Sequence, residues 1–331
     1  MDLISENHVL AAIARFFPEP ADNPRLLTGR DDDCAVLRVV DPLCVSMDLF
    51  IEDVHFRRRY FSHEDAGWKA LAVNLSDLAA CGAKPLGFSL GLGLPQDADA
   101  DLLHGLLRGV AELAELTGAS LTGGDLSRSD KLHLCITVFG EAARPLRRGQ
   151  ARPDDALFAV GQIGLARTGF LRLEADGLAA LRTNPEACAA HLRPMPLLDE
   201  GQKLHDLALD HPEARIGLMD LSDGLAQDVP RLIGLNPSGS VKRKERGPGA
   251  DLALPPPHLE VARYCAANEL DSDRFRLAGG EDYALIGSCD PSALPLLRRI
   301  LPGLCRIGTV LAEPGLYCQG TAVEPGFDHF A

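Results

Sequence analysis

GWKALAVNLSDLAACGAKP, residues 67–85, is the stretch from which the fold is read. Wound as a helix at about 100° per residue, 66–81 gathers Trp68, Leu71, Ala72, Leu75, Leu78 and Ala79 into one apolar stripe. Asp77 points the other way, yet its neighbours there are Ala70, Val73, Ala80 and Cys81. The pattern predicts a helix buried nearly all round. A carboxylate on such a helix requires a partner or a metal ion, because an unpaired buried charge costs several kcal/mol.

Outward from this helix, short apolar runs alternate with helical periodicity. LCVSMD (43–48), LGFSLGLGL (86–94), LHLCITVFG (132–140), ALFAVG (156–161) and RIGLMDLSDG (215–224) read as buried strands or strand ends. Residues 65–81, 98–117 and 198–209 read as helices. The fold class is therefore mixed, α/β or α+β. Pro, Gly and Arg cluster in AARPLRRGQARPDD (142–155), a candidate domain boundary. Residues 236–257 read as a long exposed loop carrying the only dense basic run, Lys242, Arg243, Lys244 and Arg246.

The 331 residues suffice for two domains, each with its own core. Lys and Arg number 33 against 47 Asp and Glu, a formal net charge of −14. So acidic a chain is a poor binder of nucleic acid or of an anionic membrane. No run approaches the ~18 consecutive apolar residues of a membrane span, and the N-terminal stretch lacks the pattern of a secretion signal. Nine cysteines without a C-x-x-C fit neither a disulfide framework nor a cysteine zinc site, and a reducing cytoplasmic setting is expected.

Aspartates recur at pointed places: Asp31, Asp32 and Asp33 before an apolar run, Asp48 closing one, Asp125 after Gly-Gly, and Asp220 and Asp223 after RIGLM. Singly, each has an ordinary structural reading as a cap or turn residue. Together, with no accompanying His/Cys pairs, they suit a hard cation such as Mg²⁺, which commonly shares its shell with substrate phosphates. The P-loop, the G-x-G-x-x-G fingerprint and the protein-kinase motifs are missing. Gly87-Phe88-Ser89-Leu90-Gly91 matches the G-x-S-x-G elbow of serine hydrolases, but the run stays extended through Leu94 and Pro95 opposes an immediate helix. Ser89 reads as a strand residue.

The stretch 67–85 strongly resembles the thiamine-monophosphate kinases, of the superfamily that includes aminoimidazole ribonucleotide synthetase. The resemblance continues in order through DDCAVL (32–37), SMDLFIEDVHF (46–56), LTGGDLSR (121–128), LRRGQARPDD (146–155), HLRPMP (191–196), MDLSDGLAQD (219–228), LAGGEDYAL (277–285) and GFDHF (326–330). It implies the two-domain aminoimidazole ribonucleotide synthetase-like fold. Residues 1–145 would form a mixed-sheet domain that binds metal and ATP and pairs with its copy in a homodimer. Residues 146–331 would form an α/β domain closing over nucleotide and substrate. The implied activity is transfer of the γ-phosphoryl group of ATP to thiamine monophosphate, giving thiamine diphosphate and ADP. The resemblance assigns Mg²⁺ ligation to Asp33, Ser46, Asp48, Asp77, Asp125, Asp220 and Asp223. It assigns ATP contacts to Gly124, Asp125, Arg148 and Ser222, and thiamine phosphate contacts to His55, Glu281 and Phe327.

These residue types suit that chemistry. A phosphate monoester has its second pKa near 6 and is largely ionised at neutral pH, so it needs no general base. Alignment and neutralisation of charge are the task. Three departures from the family pattern stand out: Met47 where Thr is common, Leu165 where Asp is usual, and RGQARPDD around Arg148. Alternatives at this stage are a sister ATP-dependent phosphorylation of another small metabolite and a catalytically idle nucleotide-binding relative. Selenophosphate synthesis is disfavoured, since no reactive-looking cysteine precedes Cys34.

Overall fold

A computed structural model describes residues 5–18, 24–30, 34–234 and 247–323. Asp31, Asp32, Asp33, Phe327 and the basic run 242–246 lie outside the described residues. The chain divides into two compact units, 1–78 with 83–143 and 192–194, and 79–82 with 144–191 and 195–331.

The first unit runs α1 (Glu6–Phe16), β1 (Leu26–Thr28), β2 (Val36–Leu37), β3 (Leu43–Ile51), α2 (His63–Cys81), β4 (Lys84–Leu94), α3 (Ala100–Thr117), β5 (Ser120–Arg128) and β6 (His133–Glu141). The last three residues of α2 belong to the second unit. Four strands form a sheet in the order β3-β6-β4-β5. β6 runs antiparallel to both β3 and β4, and β4 parallel to β5. Period-two burial sorts β3: Cys44, Ser46, Asp48 and Phe50 are covered, while Leu43, Val45, Met47 and Leu49 are exposed. The predicted burial of α2 is borne out on both sides, with Leu71, Leu75 and Ala79 at 0% exposure and Ala70 as deep as they are. Helices α2 and α3 meet backbone to backbone. A Cβ on Gly109 would stand 1.9 Å from the Glu64 carbonyl oxygen, and one on Gly67 2.1 Å from that of Leu106. Only glycine fits that approach.

The second unit contains β7 (Ala156–Val160), α4 (Leu165–Asp176), α5 (Ala180–Thr183), α6 (Pro185–Leu192), α7 (Leu198–Asp210), β8 (Gly217–Leu221), α8 (Leu225–Leu232), β9 (Gly249–Leu252), α9 (Leu259–Ala267), α10 (Ser272–Leu277), β10 (Ala284–Cys289), α11 (Leu294–Ile300), β11 (Cys305–Leu311), β12 (Leu316–Cys318) and β13 (Thr321–Ala322). Its seven strands follow the order β13-β12-β9-β11-β7-β10-β8, parallel only between β12 and β9. Strands β7, β8 and β10 are buried at every position, so both faces of the sheet are covered there. Leu157, Leu221, Val229, Ile286 and Ile307 fill the core. Among the described residues no helix is long and apolar enough to cross a membrane.

Candidate active site

In the first unit two neighbouring elements bring three of the expected residues together. Ser46 and Asp48 share the covered face of β3, and Asp77 reaches them from α2. The Ser46 hydroxyl donates to Asp77 Oδ2 at 2.5 Å. The Asp48 backbone N–H donates to Asn74 Oδ1 at 2.9 Å, and Asn74 is itself anchored by donating to the Ala70 carbonyl. Burial, and after it the charge of Asp77, pushes the Asp48 carboxyl up to about 6. Two carboxylates that resist joint ionisation, flanked by a hydroxyl, form an all-oxygen donor set of the kind a hard divalent cation relieves. The donor chemistry therefore fits Mg²⁺, although among the described residues no three His, Cys, Asp or Glu side chains converge on one point.

Met47 stands on the exposed side of β3, away from Ser46 and Asp48. Its side chain is not directed into the carboxylate pair, so the exchange of Thr for Met leaves that pair intact. Gly124 and Asp125 are exposed on β5, at the edge of the sheet opposite β3. Two strands intervene, putting Asp125 about 14 Å across the sheet from β3 at the usual strand spacing.

His55 occupies the turn after β3. Its Nδ1 accepts the Ile51 backbone N–H at 3.0 Å, so the neutral ring carries its proton on Nε2. The ring stacks on Phe50, which stacks on Phe56 with centroids 4.8 Å apart. A buried aromatic cluster thus holds a half-buried imidazole. Ser89 lies in the middle of β4, sharing a 3.0 Å hydrogen bond with the Thr122 hydroxyl. The strand continues to Leu94 and no helix follows the serine, which removes the hydrolase elbow.

In the second unit the motifs MDLSDGLAQD and LAGGEDYAL, some sixty positions apart, are bonded to each other. Asp220 pairs with Leu285 in the β8–β10 register. Beyond the strands the Glu281 N–H donates to the Ser222 carbonyl at 2.7 Å and the Tyr283 N–H to that of Leu221 at 2.9 Å. Glu281 and Tyr283 both take positive φ, 64° and 46°, held there by these bonds. A Cβ on Gly224, at φ +100°, would meet the Gly279 carbonyl oxygen at 2.5 Å. Asp220, Ser222, Asp223 and Glu281 therefore cluster at one end of the β8–β10 pair, whereas Arg148 is exposed in the loop preceding β7.

Several organising residues were not singled out by sequence reasoning. Asp228, fully buried, accepts the backbone N–H groups of Ser222, Asp223 and Gly224 on one oxygen, at 3.1, 2.8 and 3.1 Å. Arg231 bridges Asp228 Oδ1 at 2.9 Å and Asp223 Oδ2. Burial still holds the Asp228 carboxyl up at about 6. At the departure Gly164-Leu165, Leu165 packs into a core with Ala187, Val261 and Phe275. The acid at that helix end is supplied from elsewhere, by Asp282, which accepts from Gly164 N at 2.6 Å and Ala166 N at 3.1 Å. The only sequence signal for Asp228 and Asp282 was their place inside the matched motifs.

Residues 31–142 match the family described as AIR synthase related protein, N-terminal domain. Over 318 residues the chain is 33% identical to the thiamine-monophosphate kinase of Synechococcus elongatus, covering 91% of each. It is likewise 33% identical to that of Escherichia coli (strain K12), with 92% of each covered. A solved structure, AaThiL complexed with AMPPCP and TMP, superposes with a TM-score of 0.75 at 26% identity, covering 98% of this chain and 97% of that one. The chain belongs to the thiamine-monophosphate kinase family and is an enzyme of that family.

Proposed function

We propose that this protein transfers the γ-phosphoryl group of ATP directly, in line, to thiamine monophosphate, releasing thiamine diphosphate and ADP. The observation that carries this reading is the Ser46–Asp48–Asp77 cluster: paired carboxylates fixed by a hydroxyl and a buried carboxamide, in a member of this family. Holding Mg²⁺, such a cluster would serve charge neutralisation between two phosphate groups. The acceptor phosphate is its own nucleophile, so no general base is required.

Asp33, Ser46, Asp48, Asp77, Asp125, Asp220 and Asp223 would hold Mg²⁺. Bound there, it would offset the repulsion between the triphosphate and the acceptor dianion. Gly124, Asp125, Arg148 and Ser222 would contact ATP, Arg148 as a fixed cation. Thiamine's thiazolium is positively charged, so Glu281 supplies a compensating carboxylate and Phe327 a ring face. The His55 Nε2–H supplies a neutral donor toward the same substrate. The protein acts as a homodimer, a reading supported by the exposed row Leu43 (47%), Val45 (56%), Met47 (56%) and Leu49 (48%) on one face of β3.

The test is a product assay with purified protein, ATP, Mg²⁺ and thiamine monophosphate, against a control without Mg²⁺. Equal, metal-dependent amounts of thiamine diphosphate and ADP are expected. ADP without thiamine diphosphate would mean a different acceptor. Bound ATP with neither product would mean an idle binder.

A further inference from the structure

We propose that His191 is a positioning residue for Glu281, fixing the carboxylate that receives the substrate's cationic ring. This rests on the reading of Glu281 as a substrate contact. The backbone of Glu281 is already immobilised through the Ser222 carbonyl on one side and Asp282 on the other. Its side chain, 32% exposed, still has three rotatable bonds. From the last turn of α6 the His191 side chain, only 2% exposed, brings Nδ1 to 3.1 Å from Glu281 Oε2. The imidazole rests against Phe170, with ring centroids 5.5 Å apart. Helix α6 is anchored in turn, since Glu260 Oε2 accepts the Ala187 N–H at 2.8 Å.

A buried ring nitrogen 3.1 Å from one oxygen of a half-exposed acid sets the rotamer before any ligand arrives. The entropy of ordering that side chain is then lost on folding instead of on binding. Because the contact comes from Nδ1, asparagine is the conservative replacement: its Nδ2 falls where the ring's Nδ1 stood. Glutamine's amide reaches farther, toward the place of Nε2.

The experiment measures KM for thiamine monophosphate and for ATP in the wild type, His191→Leu, His191→Asn and His191→Gln. The same His191→Leu change is repeated in a Glu281→Ala background. The expected result is a rise of about tenfold in the thiamine monophosphate KM for His191→Leu, the effect of one charge-assisted hydrogen bond. ATP KM should stay within about twofold, His191→Asn should lie near the wild type, and His191→Gln between. In the Glu281→Ala background, where no side-chain acceptor remains, His191→Leu should add almost nothing. Equal rises in both KM values, or an undiminished effect in that background, would show that His191 only packs the core. Should His191→Leu fail to fold, the Asn and Gln pair decides, and equal behaviour of those two overturns the proposal. A wild type that forms no thiamine diphosphate would overturn the functional reading and this one together. A working wild type with indifferent His191 variants overturns this one alone.

Discussion

Replacing Asp282 by asparagine separates two opposing effects on one buried carboxyl. Its oxygens accept from Gly164 N and Ala166 N, closing the N-terminus of α4. An amide keeps one acceptor and turns a donor toward a backbone N–H. Losing a helix cap costs ~1 kcal/mol, and an unpaired buried N–H adds ~1–3 kcal/mol. The expected destabilisation is ~2–4 kcal/mol, a fall in Tm of roughly 5–15 °C for a domain of this size. Burial acts the other way on the charged form, pushing Asp282 up from 3.8 to about 7 even against the N–H groups it accepts from.

The sign of the pH dependence follows. Between pH 4 and 7 the folded chain keeps a proton that the unfolded chain has released. Each pH unit in that window draws off about 1.4 kcal/mol, so stability supplied by the protonated acid is lost as pH rises, on the order of 4 kcal/mol in all. Asparagine does not titrate. The wild type should therefore lead Asp282→Asn most clearly at pH 5, and the gap in Tm should close or reverse by pH 8. Thermal unfolding followed by circular dichroism at pH 5, 6, 7 and 8 reads this directly. A gap that stays constant from pH 5 to pH 8 would refute the reasoning, since it would mean that the backbone N–H groups outweigh burial and the carboxylate is ionised throughout.

Two further outcomes bear on the site and the assembly. Asp77→Asn should lower the rate of thiamine diphosphate formation by about 10²-fold or more, the scale of a lost electrostatic contact to a phosphoryl group. Its Tm without divalent ions should stay level or rise, because the charge bearing on Asp48 is gone; near-normal turnover would remove Asp77 from the site. Val45→Asp combined with Met47→Asp alters side chains already 56% exposed. It should shift the mass by light scattering from about twice 35.4 kDa to 35.4 kDa with unchanged circular dichroism, and an unshifted dimer would place the interface elsewhere.

Helix α2 shows how far the sequence could be read and where the reading stopped. All-round apolarity exposed Asp77 as a residue in need of a partner, and Ser46 is that partner. Applied to every polar residue of the helix, the same reasoning singles out Lys69, Asn74 and Ser76, all more deeply buried than Asp77. Asn74 proves to be the residue that ties α2 to the backbone of Asp48. Asp77 is instead partly open, as the proposed contact with a ligand requires. LCVSMD was legible as a strand but not in its burial: the apolar Leu43, Val45 and Met47 are exposed, and the polar Ser46 and Asp48 lie on the covered face.

What could not be read is pairing across sequence distance. Nothing in LAGGEDYAL says that Glu281 will bond the Ser222 carbonyl or that Asp282 will cap a helix more than a hundred residues earlier. Nothing in HLRPMP says that a histidine will come to lie behind Glu281. These are properties of the antiparallel β8–β10 register, which sets two strand ends side by side and thereby selects which backbone groups must be satisfied. The loops at those ends take left-handed conformations at Glu281 and Tyr283 only because each N–H has a carbonyl waiting in the neighbouring loop. Local propensity opposes that conformation, and the partner that overrules it becomes visible only once the sheet is built. Of the residues proposed to carry charge, Asp77 drew attention through its neighbours, whereas Arg148 and Glu281 rested on the family resemblance alone. Those that hold them still, Asn74, Asp228, Asp282 and His191, are defined by the fold.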